Sequence, residues 1–293
     1  MTEHDVIARD LRFRLTREGS GPPLLLLHGW PEFRLTFGQV MTLLADRFAL
    51  VAPDLRGFGE TDKPDPGPSA GAGAEVHAAD MLALLDALGL HQVGVVAHDV
   101  GAYVAQAMAR AAPERIAGLF FFDCPYPGIG ARWAAPEQLR EIWYQSFHQL
   151  PWAAGLVGAS RASCARYIGH FLRHWSGPNA AAWDGLAETF IDNFMRPGNL
   201  QGGFNWYISQ NAVRLAMMRG QAPKLAAIDV PACVRWGTED PVLRVDWADR
   251  LGETFARLDF APLRGLGHFP HVEAPERAAA EIGGFFARIG WGD

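Results

Sequence analysis

The sequence predicts an α/β fold: a mostly parallel sheet flanked by helices on both faces, with a helical segment inserted into it. Three observations carry this expectation. Short apolar runs alternate with helical spacings in the first and last parts of the chain, the rhythm of strands covered on both sides. The middle, from about 131 to 219, has no strand-like run and reads as helices broken by Pro136, Pro151, Gly177-Pro178 and Pro197-Gly198. The length of 293 residues and the hydrophobic share of 49% supply a large core, near the ceiling of roughly 250–300 residues for a single one.

In chain order, residues 24–27 are a run of leucines ending at His28-Gly29, the pattern of a buried strand. Residues 48–52 form the next strand, 80–88 a helix stopped by Gly89, and 93–97 a strand. An Ala-rich helix follows at 102–111, ended by Pro113, and then a strand at 116–122. After the helical middle the rhythm resumes: strand 232–236, helix 246–251, strand 257–263 and a closing helix 277–288. Residues 1–15 are mixed polar and charged, and the Pro- and Gly-rich 64–73 reads as a surface loop. The predicted organisation is a core of residues 1–130 and 220–293 interrupted by a helical cap, 131–219.

Composition narrows the function. Lys+Arg 26 against Asp+Glu 32 gives −6 without basic runs, which argues against a nucleic-acid partner. No apolar stretch reaches about 18 residues, so no membrane span is expected. The N-terminus lacks the apolar region of a secretory signal. Three cysteines, Cys124, Cys164 and Cys233, are widely spaced with no C-x-x-C, consistent with a reduced, cytoplasmic chain. Both a monomer and a homo-oligomer stay open.

The strongest local signal is Val93-Gly-Val-Val-Ala97-His98-Asp99-Val100-Gly101: strand, sharp turn, helix, with Asp99 at the apex. Small residues two positions either side of an apex let a strained turn pack between strand and helix. Ala97 stands where glycine is commoner; Gly101 fits. The apex faces a helix N-terminus, which favours negative charge. An Asp that merely caps a helix is the plainer reading, and the partners decide between the two. His28-Gly29-Trp30-Pro31-Glu32 follows the leucine strand and can aim the Trp30 N–H at a developing oxyanion, with the Val100 N–H as second donor. Trp236-Gly-Thr-Glu-Asp240-Pro241 puts an acid at a late strand end, and Gly265-Leu-Gly-His268-Phe269 a histidine after the last strand. The chain order nucleophile, acid, histidine is that of an α/β-hydrolase triad.

With these motifs, the sequence resembles an α/β-hydrolase of the epoxide hydrolase family over about residues 24–286. The carrying motifs are H-G-W-P-E at His28, D-L-R-G-F-G at Asp54, A-H-D-V-G at Ala97, W-G-T-E-D at Trp236 and G-H-F at Gly267. W-Y-Q-S-F-H-Q-L at Trp143 and G-G-F-N-W-Y at Gly202 resemble cap motifs of bacterial members. The resemblance implies an α/β-hydrolase fold and conversion of a small apolar epoxide and water to a vicinal diol, with no cofactor or metal. It implies Asp99 as nucleophile, His268 as base, Asp240 as orienting acid, and Tyr144 and Tyr207 as cap acids. Asp123, closing strand 116–122, is a rival for Asp240, since some relatives with an Asp nucleophile place their acid there.

Haloalkane dehalogenases share the triad but need donors for a leaving halide. Val100 offers no side-chain donor, Trp30 replaces the Asn of an H-G-N turn, and Trp143 could supply one N–H. Fluoroacetate-type enzymes carry arginines after the nucleophile, where Val100 and Tyr103 stand here. A non-catalytic binding protein on this fold is the alternative of another class; no triad member is missing. Gly158-Ala-Ser160-Arg-Ala162 fits a serine elbow in text only, having no strand before it. His170 and His174 are spaced i, i+4 with no obvious acidic third ligand, and read as chance, while Pro270 separates His268 from His271. Gly71-Ala-Gly73 lacks the strand and third glycine of a dinucleotide loop. Six of ten tryptophans fall within the predicted cap (Trp133, Trp143, Trp152, Trp175, Trp183, Trp206), where large rings can bury surface against the core and line a pocket.

Overall fold

The computed structural model describes residues 1–64, 73–222 and 224–292. Residues 65–72 of the predicted loop at 64–73, and with them Gly71 and Ala72 of Gly71-Ala-Gly73, lie outside the described residues. One sheet organises the chain. Its strands are β1 (Thr2–Ala8), β2 (Leu11–Glu18), β3 (Pro23–Leu27), β4 (Ala49–Pro53), β5 (Val93–His98), β6 (Ile116–Phe122), β7 (Ala232–Gly237) and β8 (Leu258–Leu263), in the order β1-β2-β4-β3-β5-β6-β7-β8. From β4 to β8 all neighbours are parallel; β1 and β2 add an antiparallel edge.

The leucine run is explained by burial on both faces. Leu24 and Leu26 pack with Val96, Phe120, Phe122 and Phe286, whereas Leu25 and Leu27 pack with Val95, Ala97, Leu119 and Phe121 on the other side. A strand whose alternate residues both face apolar layers needs no polar alternation. Helices α1 (Gly38–Leu44) and α12 (Pro275–Arg288) cover the first face, and α2 (Ala74–Ala87) and α3 (Val100–Ala111) the second.

The predicted strands and helices are present with shifts of a few residues. Segment 246–251 forms tight 3₁₀ turns over Val245–Glu253, burying Trp247 and Leu251, instead of an α-helix. The hairpin β1–β2 was not among the predicted elements. Its signal is the alternation of buried Leu11, Phe13 and Leu15 with Arg12 and Arg14, which pair with Asp5 at 3.0 and 3.3 Å.

Between β6 and β7 the described residues from 127 to 218 are mostly helical. The helices are α4 (Pro136–Leu139), α5 (Trp143–Phe147), α6 (Ala153–Val157), α7 (Arg161–Trp175), α8 (Ala187–Met195), α9 (Asn199–Ser209) and α10 (Asn211–Met218), with 3₁₀ turns between. Ser160 caps α7, accepting from Ser163 N at 3.1 Å, which accounts for it without chemistry. Of the six tryptophans, Trp133, Trp175, Trp183 and Trp206 are buried, while Trp143 and Trp152 are 43% and 55% exposed. Helix α9 packs directly on the loop after β4: a Cβ on Gly202 would lie 1.9 Å from the Gly57 carbonyl oxygen. Gly202→Ala must therefore lift α9, and is expected to cost roughly 2 kcal/mol in urea unfolding, as overpacking does.

Candidate active site

The C-terminal ends of the parallel strands converge at the point where strand order reverses between β3 and β5, the usual place for a site in an open α/β sheet. The register pairs Leu27 with Ala97 and Ala97 with Phe121, so the turns after β3, β5 and β6 lie side by side. Those turns carry Trp30, Asp99 and Asp123. Gly237, closing β7, pairs with Leu263 at the end of β8, which brings the Asp240 and His268 loops alongside.

Asp99 has φ 46° and ψ −112°, a conformation side chains rarely adopt, and α3 begins at the next residue. Glycine is required around it. A Cβ at Gly101 would lie 2.3 Å from the Leu27 carbonyl oxygen, and one at Gly29 would lie 2.6 Å from the Asp99 Cβ. The Trp30 N–H donates to Asp99 Oδ1 at 3.0 Å, leaving Oδ2 facing His268 Nε2 at 4.0 Å. Val100, the other predicted oxyanion donor, opens α3 and lines the same cavity as Asp99.

His268 is completely buried. Its Nδ1 lies 2.7 Å from Asp240 Oδ2, so Nδ1 carries the hydrogen and Nε2 points its lone pair toward Asp99. Burial opposes a charged ring, but the attraction of Asp240, with Asp99 and Glu32, raises the His268 pKa above the ordinary histidine value. Asp240 is held by the Val242 and Leu243 N–H groups, which donate to Oδ1 at 2.8 and 2.9 Å. Glu273 steadies the histidine loop by accepting from Gly267 N at 2.6 Å and Phe269 N at 2.9 Å.

Asp123 is close but not bonded to the histidine. Its Oδ1 accepts from Gly237 N at 2.9 Å, and its Oδ2 has no partner. Burial, and then the negative charge of Asp240, push its carboxyl well above the usual range. Of the two rival acids, Asp240 makes the contact.

Beneath these groups lies a buried hub that sequence reasoning did not assign. Glu32 Oε2 accepts from Gly29 N at 2.7 Å, and His98 Nδ1 lies 2.7 Å from the same oxygen. His98 Nε2 lies 2.7 Å from the His268 carbonyl oxygen. Each ring nitrogen of His98 thus faces an oxygen, and the ring is held from both ends. Glu32 Oε1 accepts from Thr36 Oγ1 at 2.5 Å and faces His271 Nε2 at 2.8 Å. Burial opposes the Glu32 charge, yet His98 and His271 hold its carboxyl well below the usual range. Burial drives His271 the other way, to about 4.

The insertion supplies the opposite wall. Tyr144 and Tyr207 line a cavity of about 390 Å³ together with Asp99, Tyr103 and Trp206. The rings of Tyr144 and Tyr207 are 5.4 Å apart and perpendicular, and Tyr144 stacks on Trp30 at 5.1 Å. Burial raises both phenol pKa values, and the charge of Asp99 adds to it, so both remain proton donors over ordinary pH. Tyr103, also raised by burial and Asp99, lines the cavity too, at the position noted in the sequence as holding no arginine. Glu75, Arg110 and Arg214 line the cavity as well, so its wall is not uniformly apolar. Trp143 is not among the lining residues and is half-exposed, which removes the halide donor considered for it.

Two groups among the described residues bring three ligand-type atoms within 4.8 Å: Glu32, His98 and His271, and Asp123, Asp240 and His268. In the first, hydrogen bonds between the members occupy the converging atoms; the second is the acid–histidine pair with Asp123 behind it. His170 and His174 stack at 5.1 Å, and Glu141 does reach His174 Nε2 at 2.6 Å, an acid from another segment that spacing could not reveal.

The alpha/beta hydrolase fold model matches residues 22–275, and the chain belongs to that family. It is 29% identical to the soluble epoxide hydrolase of Corynebacterium sp. (strain C12), over 99% of this chain and 98% of that one. It is 28% identical to a fluoroacetate dehalogenase of Burkholderia sp, over 86% and 82%. The solved epoxide hydrolase CorEH superposes with a TM-score of 0.82 over 98% of this chain and 99% of that chain, at 24% identity, a likeness of fold. Among the described residues no helix is long and apolar enough to cross a membrane.

The hub makes a stability prediction. Glu32→Ala strands the buried His98 and His271 rings and the Gly29 and Thr36 donors, and should cost roughly 3 kcal/mol or more in denaturant unfolding. Glu32→Gln, which keeps two acceptor or donor positions, should cost less.

Proposed function

We propose that the protein is an epoxide hydrolase that forms a covalent ester on Asp99 and hydrolyses it with His268. The observation that carries this reading is a carboxylate at a strained turn, facing two protonated phenols across one cavity, with a histidine–aspartate pair at its back. The helical insertion, 131–219, is read as the cap closing that cavity.

A three-membered ether is strained, but its oxygen leaves poorly without a proton. In the proposed first step Asp99 Oδ2 attacks a ring carbon and the C–O bond breaks. Tyr144 and Tyr207 hydrogen-bond the ring oxygen and one supplies its proton. Raised phenol pKa values suit this role, because the groups stay protonated until an alkoxide develops. The product is a hydroxyalkyl ester of Asp99.

In the second step His268 Nε2 removes a proton from water, and the oxygen adds to the ester carbon. The oxyanion forms on Oδ1, the atom that the Trp30 N–H already holds at 3.0 Å, with the Val100 N–H as second donor. Collapse breaks the bond from the carbonyl carbon to Oδ2, which leaves as the second diol hydroxyl by taking the proton of the added hydroxyl, and the carboxylate is restored; the proton held by His268 returns to the tyrosinate, resetting both groups. Asp240 fixes the ring tautomer and offsets the imidazolium charge.

The relatives named epoxide hydrolase support this reading. A dehalogenase using the same triad is the alternative, and lacks the side-chain donors after Asp99 that a halide or a substrate carboxylate would need. A binding protein would need no strained carboxylate.

His268→Gln incubated with a panel of aliphatic and aryl epoxides should accumulate one adduct of substrate mass on Asp99, seen by intact-mass and peptide mapping. Haloalkanes and p-nitrophenyl esters should give none. Neither adduct nor diol across the panel would sink the proposal. Tyr144→Phe and Tyr207→Phe should each slow ester formation roughly 10²-fold, leaving ester decay little changed. Because His268 acts as a neutral base, ester decay should fall as pH drops through a pKa above the ordinary histidine value of about 6.5. A decay rate independent of pH there would contradict the assignment.

A further inference from the structure

Asp123 is unused by the steps above, yet it is fully buried, and its backbone sits at φ 41°. Such strain persists only where the surroundings impose it. They do so from two sides: Asp123 N donates to Arg235 O at 3.1 Å, and Gly237 N donates to Oδ1 at 2.9 Å. Both partners are on β7, whose following turn carries Asp240. Asp123, Asp240 and His268 each offer an atom within 4.8 Å of the others.

The two carboxyls are unequally supported. Asp240 receives three donors: Val242 N, Leu243 N and His268 Nδ1. Asp123 receives one, and its buried Oδ2 has no partner. Two carboxylates this close in a buried site do not both ionise at modest cost, and the better-donated one keeps the charge. An orphaned carboxylate oxygen is costly, whereas a protonated one beside an anion is not.

We propose that Asp123 and Asp240 share one proton, so that the pair presents a single negative charge to His268, with Asp240 as its ionised member and Asp123 as a neutral positioning acid. The titratable groups facing Asp123 are Asp240 after β7, His268 and Glu273 after β8, and Cys124 beside it. Asp240 and Glu273 both favour the neutral acid. Removing the charge of Asp240 frees Asp123 to ionise, so it also serves as a reserve acid. The catalytic consequence rests on the ester mechanism proposed above; the charge state does not.

The charge state is read without substrate. Infrared difference spectra at neutral pH should show a carboxylic acid carbonyl component that is lost in Asp123→Asn and kept in Asp99→Asn. No such loss overturns the proposal. The consequence is read from decay of a preformed Asp99 ester. Asp123→Asn, an isostere of the neutral acid, should decay within about threefold of wild type, and Asp123→Ala about tenfold slower. Asp240→Asn should be slower by about 10³-fold or more, and the double Asp123→Asn/Asp240→Asn about tenfold slower still. An Asp123→Asn variant as slow as Asp240→Asn, or a double variant equal to Asp240→Asn, would overturn it. A wild type that never forms the ester overturns the epoxide reading alone, since the infrared measurement stands apart from it.

Discussion

The site depends on one buried contact, Glu32 with His98 at 2.7 Å. Its carboxylate takes the Gly29 N–H that shapes the turn before Trp30, and His98 passes the connection to the carbonyl of His268. Trp30, Asp99 next to His98, and His268, the three groups to which the proposed reaction gives oxyanion donor, nucleophile and base, are thereby fixed relative to one another. With both residues wholly buried, no water competes for these bonds. Burying a carboxylate is costly unless its lone pairs are satisfied. Here Gly29, Thr36, His98 and His271 surround the carboxylate, which is how the cost is met.

The same logic of counting donors separates the acids around His268. Asp99 meets one backbone donor and the cavity, Asp240 meets three donors, and Asp123 meets one with an oxygen left over. Three aspartates in similar strand-end turns acquire different environments: a partly exposed carboxylate, a fully held carboxylate and a buried acid without room for a second charge. Opposite them, burial keeps two phenols protonated. In the proposed reaction, attack by Asp99 and proton donation by the tyrosines thus face each other across about 390 Å³ of cavity.

Much of this was legible in the sequence because it is local. The strands at Leu25, Val95 and Phe121 are apolar on both faces and stand out from their surroundings. Asp99 was readable because a strained apex needs small neighbours, and Ala97 and Gly101 are there. Asp240 and His268 were readable from their turns after late strands, and Tyr144 and Tyr207 only through cap motifs shared with a family. The hub was not legible. Glu32 stands in a recognised motif, but its partners His98 and His271 come from β5 and the turn after β8, and no spacing announces a contact across 239 positions. The hairpin at Leu11, Phe13 and Leu15 was missed because its arginines make the segment look merely polar. Tyr103 was noted only for standing where an arginine could be; its place on the cavity wall beside Trp206 follows from a contact between distant segments.

The central claim is that an oxygen of Asp99 becomes part of the product. A single turnover in ¹⁸O-labelled water, with enzyme in excess over epoxide, tests it most directly. The account predicts a first-turnover diol free of label, with ¹⁸O appearing in the Asp99 carboxylate. A diol that carries the label in that turnover would show direct attack by water and contradict the account.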